Sequence, residues 1–234
     1  LVRKDAGEIR IFGLDHLQHQ KEIKSRIGFV YDESHYYEEL TVEKNKKIIA
    51  PFYKDWDEAV FQKYLYNFDI NPKMKVKQLS KGTKMKFSLA VALSHNADLI
   101  IMDEPTSGLD PIFRREILDI LCSIIQDENK SILFSTHITT DLDKIADYIT
   151  FINNGSIVFS KAKDEILESY RLVKGGLDIL KEKNEDCFLG LRKNAFGFEG
   201  ITNNIVKVQK TFGDSIIIEK PTLEDIMVYT VRRR

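Results

Sequence analysis

Apolar positions along this chain fall into two patterns. Short runs rich in Ile, Val, Leu and Phe, bounded by Gly or polar residues, predict strands at EIRIF (Glu8 to Phe12), RIGFV (Arg26 to Val30), DLIIM ahead of Asp103, and SILFS ending at Ser135. Longer stretches with apolar residues at helical spacing predict helices. These are TVEKNKKIIAPFY, with Thr41 as its cap, WDEAVFQKYLYNF after Asp55, KMKFSLAVALSHN, and PIFRREILDILCSIIQDEN, opened by Pro111 at its first turn. TTDLDKIAD predicts a short helix, and YITFIN and SIVFS, separated by Asn-Gly, predict a hairpin. Strands that alternate with helices argue for an α/β fold with a mainly parallel sheet covered on both faces. The block from about Glu38 to His95 is almost wholly helical and reads as an inserted subdomain.

Beyond residue 160 the pattern changes. Gly175-Gly176 is a candidate linker, CFLGL, NIVKVQ and SIIIEK look like strands, and TLEDIMVYTV predicts a last helix. Thr222 would cap that helix, with Asp225 at the capping-box position. The expected organisation is a main domain over residues 1–160 and a small α+β appendage over 161–234.

Composition narrows the function classes. The formal net charge is -1, so no global field draws the chain to nucleic acid, and no nucleic-acid partner is expected. Cys122 lies in an apolar helical pattern and reads as a core thiol in a reducing compartment. The apolar runs are too short to cross a bilayer and no signal-peptide pattern is seen, so the cytoplasm is the expected compartment.

Four short stretches carry chemistry. LIIMDE ends a buried strand in two acids, at the sheet edge where open α/β folds bind ligands. Neighbouring strand residues point to opposite faces, so Asp103 and Glu104 should differ in role, one suited to Mg²⁺ and the other to deprotonating a water. In QLSKGT, Ser80 and Gly82 sit where a loop feeds a helix, whose first N–H groups attract phosphate oxygens. In SILFSTH, His137 closes a strand and can bond a phosphate oxygen or a water. SGLDP, Ser107 to Pro111, is a turn that carries Asp110. Each stretch alone also fits a plain cap, turn or strand end.

In order and spacing, these four stretches resemble the ATP-binding-cassette (ABC) ATPases over about the first 160 residues. LSKGT stands where that family has its LSGGQ signature, LIIMDE resembles the Walker B strand, SGLD the D-loop and STH the switch histidine. The resemblance implies a P-loop NTPase-like cassette that uses ATP and Mg²⁺. It implies that Asp103 holds the metal, Glu104 polarises the attacking water and His137 contacts the γ-phosphate. Ser80 and Gly82 would reach nucleotide bound by a second cassette, identical or not, and Asp110 would lie at that dimer seam. The region after Asp32 is similar to ATPases of Gram-positive exporters. That implies a separate membrane permease, a peripheral location on the inner face of the membrane, and Tyr36-Tyr37 as a docking surface.

Three departures stand out. The phosphate cradle G-x-x-x-x-G-K-[ST] is absent, and no Gly-Lys dipeptide occurs in the chain. The sequence is therefore expected to be the C-terminal portion of a longer protein, to bind ATP weakly by itself, and to leave apolar strand surface uncovered. Asp32 stands where the family usually has a metal-contacting Gln, and remains a hard oxygen ligand. Lys81 and Thr83 replace Gly and Gln of the signature. The alternatives to a transport ATPase are a soluble ABC-type ATPase of DNA repair or translation, and a non-enzymatic interaction module.

Overall fold

The computed structural model describes residues 4–31 and 35–231, so Asp32 lies outside the described residues. The chain forms two compact units, Leu1–Ile138 and Thr139–Arg234. They divide ahead of the boundary placed at residue 160, because the hairpin expected at 148–160 packs within the second unit.

The first unit begins with β1 (Arg10–Ile11) and β2 (Leu14–Asp15), a small antiparallel pair split by Phe12 and Gly13, both at positive φ. One predicted strand thus becomes two. A short helix follows, α1 (Gln20–Ser25), with only Ile23 buried; its weak apolar pattern gave no signal. Then come β3 (Ile27–Val30), α2 (Val42–Ile49), α3 (Glu58–Asn67), α4 (Lys81–Ser94), β4 (Leu99–Asp103), α5 (Pro111–Ile124) and β5 (Ser131–Ser135). The caps explain the helix starts. Thr41, Asp57, Ser80 and Asp110 each accept backbone N–H bonds from the first turn of α2, α3, α4 and α5.

The sheet has the order β3-β4-β5 and is parallel throughout. Its alternation is regular. Val30, Ile100 and Met102 are buried on one face, where α4 packs so tightly on β3 that a Cβ on Gly28 would lie 2.5 Å from that of Ala92. On the opposite face, Phe29, Ile101 and Leu133 form one cross-strand row, with Phe29 and Leu133 exposed. This is the uncovered apolar strand surface expected from the sequence. Cys122 is half-exposed, not the core thiol expected, because α5 turns Ile117, Leu118, Leu121 and Ile124 inward instead.

The second unit contains α6 (Thr139–Ile145), β6 (Tyr148–Asn153), β7 (Ser156–Ala162), α7 (Lys163–Ser169), β8 (Arg171–Gly175), β9 (Gly190–Asn194), β10 (Gly197–Thr202), α8 (Ile205–Phe212), β11 (Ile216–Glu219) and α9 (Leu223–Val231). β6 and β7 form the expected hairpin. Its two-residue turn, Asn154-Gly155, has both residues at positive φ, as a type I′ turn requires. An antiparallel sheet of order β11-β8-β10-β9 completes the unit. Two expectations are corrected. Gly175 is no linker but the end of β8, paired with Phe198 and Ile216. NIVKVQ is helix, not strand. Asn204 caps it by accepting from the Lys207 N–H at 3.0 Å, and Val208 and Phe212 bury its inner face.

Candidate active site

Parallel pairing of β4 and β5 sets Asp103 directly opposite Ser135 at the C-terminal edge of the sheet. Both side chains point the same way, so the Ser135 hydroxyl donates to Asp103 Oδ1 at 2.6 Å. The chain then turns sharply. Glu104 has φ 45°, a left-handed conformation that costs a non-glycine residue about 1–2 kcal/mol. Its N–H is held by Ser135, donating to the carbonyl at 3.1 Å and to Oγ at 3.3 Å. The turn is closed by the Ser107 N–H, which donates to the Glu104 carbonyl at 3.1 Å.

The turn gives the neighbouring acids different surroundings. Glu104 Oε2 meets His137 Nδ1 at 2.9 Å, and Glu104 is the more sheltered of the two, with side-chain exposures of 28% and 71%. Asp103 is exposed. Asp103 and Glu104, from one sequence signal, and His137, from another, thus converge at one sheet edge, and Ser135 joins them. Sequence reasoning passed over Ser135. The available signal was that both central strands, LIIMD and SILFS, end in an oxygen-bearing side chain at matching register.

Ser80, Gly82 and Asp110 form a second group, at the starts of α4 and α5. Ser80 Oγ accepts from the Thr83 N–H at 3.1 Å, and its residue is exposed. Asp110 Oδ1 accepts from the N–H groups of Ile112 and Phe113 at 3.0 and 3.1 Å. Gly82 is buried, and a Cβ there would lie 2.7 Å from Phe113 Cδ1. The ring of Phe113 therefore accounts for the glycine without any ligand. Lys81 lies over the next turn, its Nζ 3.5 Å from where a Cβ would stand on Gly108.

Two features bear on a metal. Among the described residues no group of three or more His, Cys, Asp or Glu side chains could hold one. Mg²⁺ does not ask for such a cage, since it takes one or two carboxylates together with waters and substrate phosphates. Asp103, exposed and oriented by one hydroxyl, fits that demand.

The two tyrosines proposed for docking part company. Tyr36 is partly buried, its ring packed on Phe87 at 4.5 Å, and burial pushes its hydroxyl up to about 12. Tyr37 is 62% exposed. Its backbone is clamped by the fully buried Asn45, which accepts from the Tyr37 N–H at 2.9 Å and donates to its carbonyl at 3.0 Å.

The chain is similar to known proteins over much of its length. A family profile described as "ABC transporter" matches residues 1–107. The bacitracin transport ATP-binding protein BcrA of Bacillus licheniformis is 32% identical over 162 residues, which are 68% of this chain and 52% of that protein. The lantibiotic transport ATP-binding protein SrtF of Streptococcus pyogenes is 32% identical over 168 residues, 70% of each. A solved structure titled "Structure of ATP binding subunit of ABC transporter" superposes with a TM-score of 0.60 at 25% identity, covering 70% of both chains. The matched part of this chain thus spans about half the length of the first relative and 70% of the second. Parallel sheet, strand-edge acids and these likenesses agree: the chain belongs to the ABC transporter family, among its ATP-binding proteins.

Proposed function

We propose that the chain carries the hydrolytic part of an ABC transporter's ATPase subunit, which couples Mg-ATP hydrolysis in a cassette dimer to export by a separate permease. The observation that carries this reading is the meeting of Asp103, Glu104 and His137 at one sheet edge, with Glu104 Oε2 2.9 Å from His137 Nδ1. Mg²⁺, when bound, neutralises charge on the transferring phosphoryl group. Asp103 would hold the ion by its carboxylate, which the Ser135 hydroxyl orients through Oδ1. Glu104 takes the proton of the attacking water, a task typically worth about 10²–10⁴-fold in rate. His137 fixes the Glu104 carboxylate through Nδ1 and presents Nε2 to the terminal phosphate. Exposed Ser80 reaches nucleotide on the second cassette, with Gly82 and Asp110 shaping that surface. Tyr37 stands on the permease side, at the inner face of the membrane. Among the described residues no helix is long and apolar enough to cross a membrane.

The missing G-x-x-x-x-G-K-[ST] pattern favours a second reading, a non-enzymatic interaction module. A thermal-shift titration with Mg-ATP separates the two. A version supplied with a phosphate loop grafted from a relative should gain about 2.7 kcal/mol at about 100 times its dissociation constant. The 234-residue chain should gain far less. No gain in either version would favour the interaction module.

A further inference from the structure

We propose that β11 is a self-recognition strand, through which two copies of this chain join their C-terminal sheets edge to edge. The sheet order β11-β8-β10-β9 leaves two outer strands, and they differ in kind. β9 carries Arg192 and Lys193 and is overlaid by α9, so closely that a Cβ on Gly190 would lie 2.1 Å from the Tyr229 carbonyl oxygen. Charge and cover of this sort are how soluble proteins keep an edge from pairing. β11 has neither. Its sequence is Ile-Ile-Ile-Glu, it pairs in unbroken register with β8 alone, and Ile217 is 62% exposed. An unprotected apolar edge offers backbone N–H and C=O groups to another strand, the arrangement known as β-augmentation.

The flanking charges select a second copy as the occupant. In an antiparallel pair about a two-fold axis, facing residues must lie on the same face of the joined sheet. Centring the axis on Ile217 sets Ile217 against itself, Ile216 against Ile218, Ser215 against Glu219, and Asp214 against Lys220. Asp214 and Lys220 are exposed, and among the described residues no ion pair holds either. A two-residue shift in one direction sets Asp214 against Ile218. In the other it sets Ile216 against Lys220. One register therefore satisfies both the apolar and the charged positions, and it does so twice by symmetry. Glu219 keeps its bond from Lys174, 2.7 Å away within its own copy. A seam of one strand per copy is small, so the association should be in the micromolar range.

Sedimentation of the whole chain without nucleotide tests this independently of the hydrolytic reading. The chain should dimerise with rising micromolar concentration, and Ile217→Lys, on an exposed position, should leave it monomeric with an unchanged thermal melt. Asp214→Lys and Lys220→Asp should each weaken association about tenfold, and the double substitution should restore it. A monomer at all concentrations overturns the proposal. So does a dimer that survives Ile217→Lys, or one abolished instead by Leu133→Glu on the first unit's sheet.

Discussion

Ser135 shows how one side chain can serve two neighbours. Its hydroxyl donates to Asp103 at 2.6 Å, while its oxygens receive the strained Glu104 N–H. Removing the hydroxyl leaves the strand pairing intact but frees Asp103 to rotate. Partners that orient a metal-holding carboxylate commonly matter by 10–100-fold. In a version supplied with a phosphate loop, Ser135→Ala should therefore raise the Mg²⁺ concentration needed for half-maximal ATPase by about 10–100-fold. An unchanged Mg²⁺ titration would mean that Asp103 needs no such support. The acids and His137 were legible because each follows an apolar strand-like run, the edge at which open α/β sheets bind ligands. Ser135 was not, because its role appears only once two strands are paired in register. Gly82 was legible as a special position, but for the wrong neighbour: what approaches it is the Phe113 ring from α5.

Helices in this chain were readable mainly by their caps. Thr41, Ser80 and Pro111 announced α2, α4 and α5, and Thr222 and Asp225 exchange the bonds of a capping box at 2.9 and 3.1 Å before α9. NIVKVQ misled because Ile and Val favour strands, whereas the Asn204 cap and the inward positions of Val208 and Phe212 decided for helix. At the far end of α4 sits a less visible device. His95 is 2% exposed, its ring stacks on Tyr53 at 3.8 Å, and neither ring nitrogen has a hydrogen-bond partner. Burial pushes its pKa down to about 4 from 6.5, with the nearby Lys130 charge acting in the same direction. The folded chain therefore keeps His95 neutral where the unfolded chain would protonate it. The stability this contributes is complete above pH 6.5 and is lost as pH falls towards 4. The urea midpoint of the first unit should fall between about pH 7.5 and about pH 5, and His95→Phe should flatten that fall. Equal slopes in both proteins would remove His95 from the account.

Across the whole chain, alternating strands and helices announced the α/β class, and the four motifs in order announced the family. Sheet coverage was legible only in part: the alternation predicted cover on both faces, while the missing phosphate-loop pattern predicted bare apolar strand surface. Phe29, Ile101 and Leu133 lie in one row on the face opposite α4, with Leu133 60% exposed. Apolar rows of this kind fit a sheet whose other face is completed by further chain or by a partner. On the proposed reading, water activation and phosphate gripping are separable: the first would reside in Glu104 and His137, the second in the G-x-x-x-x-G-K-[ST] pattern that this sequence does not contain. The most direct test is steady-state ATPase of the phosphate-loop-supplied protein carrying Glu104→Gln. The account predicts that kcat falls by about 10²–10⁴-fold while Mg-ATP binding persists. A kcat within about threefold of the parent would contradict it, because Glu104 would then not be the group that takes the proton from water.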